Sequence, residues 1–248
     1  MPPAAPGFVI QSAAATHVGH VRKHNEDACL DRPDLGLWVV ADGMGGHQAG
    51  DLASRLIVDL LGEMALPRDA GSFIAEVRAR LGEANRRLVA EARQRGGDAV
   101  IGSTVVAFLS FGAYFACLWA GDSRLYRLRD GALQQLTRDH SQVQEMVDAG
   151  LLDPAAAERH PLANIVTRAV GAAPELELDK VTDRLAAEDL FLLCSDGLSK
   201  MVADAEIAEV LARTPVAAAP QALIDAALAH GGKDNVTAVA IRIGAPLA

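Results

Sequence analysis

The stretch Thr104-Val-Val-Ala-Phe-Leu109, Ser110-Phe111-Gly112-Ala113, Tyr114-Phe-Ala-Cys-Leu-Trp119 decides the architecture. Two β-rich apolar runs flank a turn-like Ser/Gly centre, which is the pattern of a buried hairpin. The surrounding segment 99–121 carries no charged residue and approaches the length of a membrane span. Its turn-like middle, with Asp98 and Asp122 close on either side, argues for the hairpin and against the span. Immediately downstream, apolar runs at 125–128 and 133–136 flank Asp130-Gly131, a strong two-residue hairpin signal. Four successive strands are expected.

Further strands are expected at 8–14, 35–41, 176–181, 190–194 and 236–243. Ala53, Leu56, Ile57, Leu60, Leu61 and Met64 recur at the spacing of one helical face, and Phe73, Val77, Leu81, Leu88 and Ala92 do so again before Gly96-Gly97 ends the pattern. A short helix is expected at 142–149, and another from near Pro220 to Gly231-Gly232. Consecutive hairpins with helices inserted in pairs predict an antiparallel sandwich covered by helices, and exclude a parallel βαβ sheet.

The 248 residues are 50% apolar and 22% charged, enough to bury a core and too apolar for disorder. No repeat or linker divides them, so one domain over 8–245 is expected behind a flexible N-terminus, 1–7. The net charge of −9, without a basic run, makes nucleic acid an unsuitable partner. Cys29, Cys117 and Cys194 lie far apart beside apolar residues, as buried thiols of a reducing compartment do. With no secretory signal visible, a cytoplasmic protein without a membrane partner is expected.

Chemistry is suggested by aspartates at the ends of apolar runs. Asp42-Gly43, Asp122 and Asp196-Gly197 each follow such a run, and Asp234-Asn235 precedes one. In antiparallel neighbours exits and entrances share an edge, so four carboxylates can converge. Converging carboxylates repel unless cations sit among them. Oxygen ligands without paired His or Cys favour Mg²⁺ or Mn²⁺. Any one Asp-Gly alone is ordinary turn chemistry, as Asp130-Gly131 illustrates. Arg22 and the pair Glu26-Asp27 add charge just before a strand region.

Gly19-x-x-Arg22-x-x-Asn25-Glu26-Asp27, Val40-Ala-Asp42-Gly43-Met44-Gly45-Gly46-His47, Gly102-Ser-Thr104, Gly121-Asp122-Ser123-Arg124, Ser195-Asp196-Gly197 and Asp234-Asn235-Val-Thr occur in that order across nearly the whole chain. In this the sequence resembles the bacterial metal-dependent serine/threonine protein phosphatases of type 2C. The resemblance implies an α+β fold, a four-layer αββα sandwich of two antiparallel sheets flanked by helix pairs. It implies that Asp42 bridges two tight metal ions, Mn²⁺ or Mg²⁺, with Asp196 and Asp234 completing one and the Gly43 carbonyl and Glu26 the other. Asp27 and Asn235 stand behind these ligands, Asp122 shares a third, weaker ion with Asp196, and Arg22 clamps the phosphate. A bridging water then loses a proton and attacks phosphorus in line. The implied substrates are phosphoserine and phosphothreonine in targets of a bacterial Ser/Thr kinase, and in the kinase itself.

The chain departs from the family pattern at His17, where many members carry Asp, and at Met44, where eukaryotic relatives place a general-acid His. His47 is the candidate substitute. A serine hydrolase built on Ser123 lacks a suitably spaced Asp/His pair, and none of the cysteines has the Arg six residues on that a cysteine phosphatase needs. The alternative on the same fold is a catalytically silent phosphoprotein-binding regulator. Segment 141–167, interrupted by Pro154 and Pro161, reads either as an ordinary surface excursion or, as the resemblance implies, as a flap that contacts the protein part of the substrate.

Overall fold

A computed structural model of the chain describes residues 7–45, 49–96, 100–157 and 159–246. In chain order these form β1 (Phe8–His17), β2 (Asp27–Arg32), β3 (Leu37–Met44), α1 (Ala49–Gly62), α2 (Ala70–Arg95), β4 (Gly102–Ser103), β5 (Val105–Phe111) and β6 (Tyr114–Ala120). There follow β7 (Arg124–Arg129), β8 (Ala132–Gln135), α3 (Gln142–Asp148), α4 (Pro154–Ala157), β9 (Asp179–Arg184), β10 (Leu190–Cys194), α5 (Asp196–Ser199), α6 (Asp204–Arg213), α7 (Ala219–Ala229) and β11 (Val236–Pro246). One sheet has the order β1-β11-β10-β7-β8, the other β2-β3-β5-β6-β9 with β4 against β3.

Three apolar layers hold four layers of structure together. Between the sheets lie Trp38, Val40, Val106, Phe108 and Phe115 from one side and Leu125, Phe191, Leu193, Val239 and Ile241 from the other. The alternate residues Leu37, Val39, Ala41, Val105 and Ala107 face outward onto Ala53, Ile57 and Leu61 of α1 and Phe73, Val77 and Leu81 of α2. On the opposite flank Leu192, Cys194, Ala238 and Ala240 meet Ile207 and Leu211 of α6 and Leu223 and Ile224 of α7. Central strands therefore bury both faces, which is why they read as unbroken apolar runs. The α+β, αββα arrangement is the one expected.

The two hairpins part company. β5–β6 belongs to one sheet and β7–β8 to the other, so the expected four strands are present but do not make one meander. The crossover is Gly121-Asp122-Ser123. A side chain on Gly121 (φ +114°) would sit 2.5 Å from the Thr104 Cβ, so glycine is required where the chain passes between sheets. Asp130 and Gly131, at φ +51° and +77°, close the second hairpin as their sequence predicts.

Other expectations shift. The strand placed at 176–181 is Asp179–Arg184, because Leu176 and Leu178 pack against the α1–α2 layer before the ladder begins. Helix α6 is an element that the sequence pattern does not predict. Cys117 and Cys194 are buried, but Cys29 is only half-buried, which corrects the expectation of three buried thiols. Among the described residues no helix is long and apolar enough to cross a membrane.

Candidate metal centre

The two sheets end side by side, and the acidic residues gather at that common end. Asp42 and Gly43 lie within β3 rather than beyond it, since the strand runs on to Met44. Asp122 lies in the crossover after β6, Asp196 begins α5 after β10, and Asp234 precedes β11. Glu26 comes just before β2, whose first residue, Asp27, stands directly opposite Asp42 in the β2–β3 ladder. Opposed residues in a ladder project from the same face, and like charges so placed repel. Arg22, Glu26, Asp42, Asp122, Asp196 and Asp234 all line one cleft of about 280 Å³, with Gly43, Met44, Thr104, Asn164, Val166 and Asn235 among its other walls.

Backbone bonds fix these positions independently of the carboxylates. The Asp42 N–H donates to Thr104 Oγ1 (3.1 Å), and its carbonyl accepts from the Thr104 N–H and the Ser103 hydroxyl (2.9 Å each). Asn235 staples the 18–26 loop to β11: its Oδ1 accepts from the Glu26 N–H (2.8 Å) and its amide donates to the carbonyls of Val18 and His24 (2.9 Å each). A side chain on Gly43 would meet the Gly50 carbonyl at 2.1 Å, so this glycine is demanded by the approach of α1 as well as by any use of its own carbonyl.

The electrostatics are those of a site short of positive charge. Burial, then Asp27, Asp196 and Asp122, holds the Asp42 carboxyl well above the usual carboxylate range. Asp42 is open to the cleft on one side yet ringed by protein and acid groups elsewhere. Burial and Asp196 push Asp122 up to about 6, against the pull of Lys200. Burial raises Asp27 to about 7 despite hydroxyl bonds from Thr237 (2.7 Å) and Ser195 (2.8 Å). Its other oxygen, Oδ1, is buried without a partner. Two side-chain cations enter the cluster: Arg22 Nη2 meets Asp234 at 2.7 Å, and Lys200 Nζ meets Asp196 at 2.5 Å. Burial works against the Lys200 charge, but Asp196 and Asp122 outweigh it and hold the ammonium above its ordinary range.

An all-oxygen, over-acidic cleft, flanked by the buried Asp27 whose Oδ1 has no partner, fits a hard divalent cation. Among the described residues no three acidic, His or Cys side chains already form a metal cage; Arg22 and Lys200 stand among the carboxylates instead. His17 Nδ1 accepts from the Gly19 N–H (2.9 Å). Met44 lines the cleft and has no proton to give. His47 lies outside the described residues. Lys200, Asn164 and Val166 were not singled out in the sequence. The signal for Lys200 was its place four residues after Asp196; Asn164 and Val166 reach the cleft only through the fold.

Raised carboxyls set a pH dependence for the metal-free protein. Unfolded Asp titrates near about 4, whereas Asp122 and Asp27 titrate at about 6 and 7 in the fold. Between those values the folded chain holds more protons than the unfolded one, so stability falls as pH rises through that window. Melting in excess EDTA should therefore occur at lower temperature at pH 7 than at pH 5. A melting temperature that climbs over this range contradicts the assignment.

The sequence matches the protein phosphatase 2C family over residues 16–230, and the chain belongs to that family. Among solved structures, it resembles PppA, described as a key regulatory component of T6SS in Pseudomonas aeruginosa. The TM-score is 0.89 at 45% identity, covering 96% of this chain and 99% of that one. It is 38% identical to the serine/threonine protein phosphatase PstP of Mycobacterium tuberculosis over 94% of the chain, but spans only 45% of that relative's length. The PstP catalytic domain in complex with two manganese ions matches with a TM-score of 0.86 at 36% identity, over 96% of this chain and all of that one. The serine/threonine phosphatase stp of Listeria monocytogenes is 34% identical, with 91% of this chain and 93% of that protein covered.

Proposed function

We propose that residues 8–245 form one catalytic domain that hydrolyses phosphoserine and phosphothreonine in bacterial proteins, with Mn²⁺ or Mg²⁺ as cofactor. The observation that carries this reading is the crowding of Asp27, Asp42, Asp122 and Asp196, whose carboxyls are partly buried together and need added positive charge. Asp42 would be shared by two ions, with Asp196 and Asp234 holding one and the Gly43 carbonyl and Glu26 the other, while Asp27 and Asn235 would keep these ligands in place. When bound, the ions supply the charge that lets a water lose its proton near neutral pH and that offsets charge on a phosphoryl group.

The chain's own residues do the rest. Arg22, exposed at the cleft rim, pairs with Asp234 through Nη2. A phosphate dianion competes with one carboxylate for that guanidinium, and a bidentate guanidinium–phosphate contact orients the ester. The flap, 141–167, is pinned at its base by Gln142 N–H to the Ile165 carbonyl (2.9 Å) and Thr167 N–H to the His140 carbonyl (2.8 Å), and exposes Leu151 and Ile165. Apolar surface beside a phosphate site suits the peptide around a phosphorylated residue. The targets are phosphoproteins made by a cytoplasmic Ser/Thr kinase, the kinase included.

The test is hydrolysis of a phosphothreonine peptide by the purified chain. Activity should appear on adding Mn²⁺ or Mg²⁺ and vanish in excess EDTA. Undiminished turnover in EDTA, or no turnover with either ion on phosphopeptides or a small aryl phosphate, rejects the reading.

A further inference from the structure

The crossover carboxylate Asp122 is buried, and a buried carboxylate needs a partner. It has one within the chain. Lys200 Nζ lies 3.4 Å from Asp122 Oδ2, 2.5 Å from Asp196 Oδ2 and 2.9 Å from Asn164 Oδ1. An ammonium has three protons and no acceptor capacity, so three oxygens satisfy it completely. Those oxygens come from three separate parts of the fold: the crossover between sheets, the turn after β10, and the flap.

The position is built rather than accidental. Lys200 caps the C-terminal end of α5, its N–H bonded to the Asp196 carbonyl at 2.9 Å, so acid and amine are one helical turn apart with the acid N-terminal, the favourable order. That turn cannot slide. A side chain on Gly197 would come within 2.0 Å of the Asn235 carbonyl, so α5 rests against the start of β11. The side chain of Lys200 is itself mostly buried, at 25% exposure.

We infer that the Lys200 ammonium is the resident cation between Asp122 and Asp196, taking the place of a third metal ion and tying the flap to the metal centre through Asn164. The inference rests on the two-metal reading of the cleft. A divalent ion entering between the same two carboxylates would lie within about 4 Å of the ammonium, where repulsion is several times thermal energy even at the dielectric of a protein surface. Lysine is covalently attached and does not dissociate, so the charge between Asp122 and Asp196 stays constant whatever the metal concentration. The carboxylates expected to share a weak ion are thus already paired, and the donor set left for metals is that of two ions.

Counting Mn²⁺ per chain by equilibrium dialysis and by the electron paramagnetic resonance of the free ion tests this without an activity readout. The full chain and Lys200→Arg, which keeps a cation, should each take up two Mn²⁺. Lys200→Met, with its stem intact and its charge gone, should take up a third and weaker one that is lost again in Lys200→Met/Asp122→Asn. Amide exchange around Asn164 should quicken in Lys200→Met and not in Lys200→Arg. A third Mn²⁺ in the unmodified chain that disappears in Asp122→Asn overturns the inference and leaves the two-metal reading standing; so does a count fixed at two in a folded Lys200→Met. No tight Mn²⁺ in the unmodified chain removes both.

Discussion

Replacing Asp42 by alanine should abolish phosphatase activity, by at least about 10³-fold in kcat/KM, or roughly 4 kcal/mol of transition-state stabilisation, while making the metal-free protein more stable. The two effects have one cause. Asp42 stands opposite Asp27 in the ladder and is pressed by Asp196 and Asp122, so its charge is tolerated only when a cation offsets it. Alanine removes that repulsion and leaves intact the backbone bonds to Thr104 and Ser103 that hold the strand end. In EDTA the variant should melt above the parent at pH 7, and added Mn²⁺, which stabilises the parent by mass action, should no longer raise its melting temperature. Asp27→Ala should fail differently, since it strips Ser195 and Thr237 of their shared acceptor and costs about 1–3 kcal/mol in stability. If Asp42→Ala retains both turnover and the Mn²⁺-dependent rise in melting temperature, the carboxylate is not at the centre of the site.

What could be read in the sequence follows burial closely. The sequence places β10 to the residue and β5–β6 to within two, because central strands bury both faces and their apolar runs end sharply. β9 was misplaced because Asp-Lys-Val-Thr-Asp-Arg is an exposed edge, stabilised by its ladder with β6 and by hardly any core, while the apolar Leu176 and Leu178 just before it pack without forming a strand. α6 buries only Ile207 and Leu211, too few for a periodic signal among its charges. At the site, the aspartates were legible because an acidic residue at the end of an apolar strand is conspicuous. Their grouping across two sheets was not, since it depends on the chain changing sheets at Gly121-Asp122-Ser123. Lys200 looked like one more surface lysine. Its partners Asp122 and Asn164 are 78 and 36 residues away, and no local pattern joins them.

Because both sheets contribute acidic residues to the site, the packing between the sheets should govern both stability and metal affinity, and Phe191 is the residue through which to test it. Phe191 is the second residue of β10 and is fully buried, with ring centroids 4.7 Å from Phe108 and 5.1 Å from Phe115 of the other sheet. β10 is hydrogen-bonded on both sides, to β7 and β11, so it cannot move to fill the void that Phe191→Ala leaves. The expected cost is about 3–5 kcal/mol, the range for a large aromatic removed from a core unable to collapse. For a chain of this length that lowers the melting temperature by roughly 10 °C. Phe111→Ala, at the exposed tip of the β5–β6 hairpin, should cost less than about 1 kcal/mol and serves as the control. β10 leads directly into Ser195-Asp196, whereas Asp42 and Asp122 hang on the facing sheet. A cavity between the sheets should therefore loosen the distance across which ions are held, and Mn²⁺ uptake by folded Phe191→Ala should weaken severalfold. Unchanged Mn²⁺ affinity in that variant would show that the loops at the sheet ends, stapled by Asn235, fix the site without help from the core beneath it.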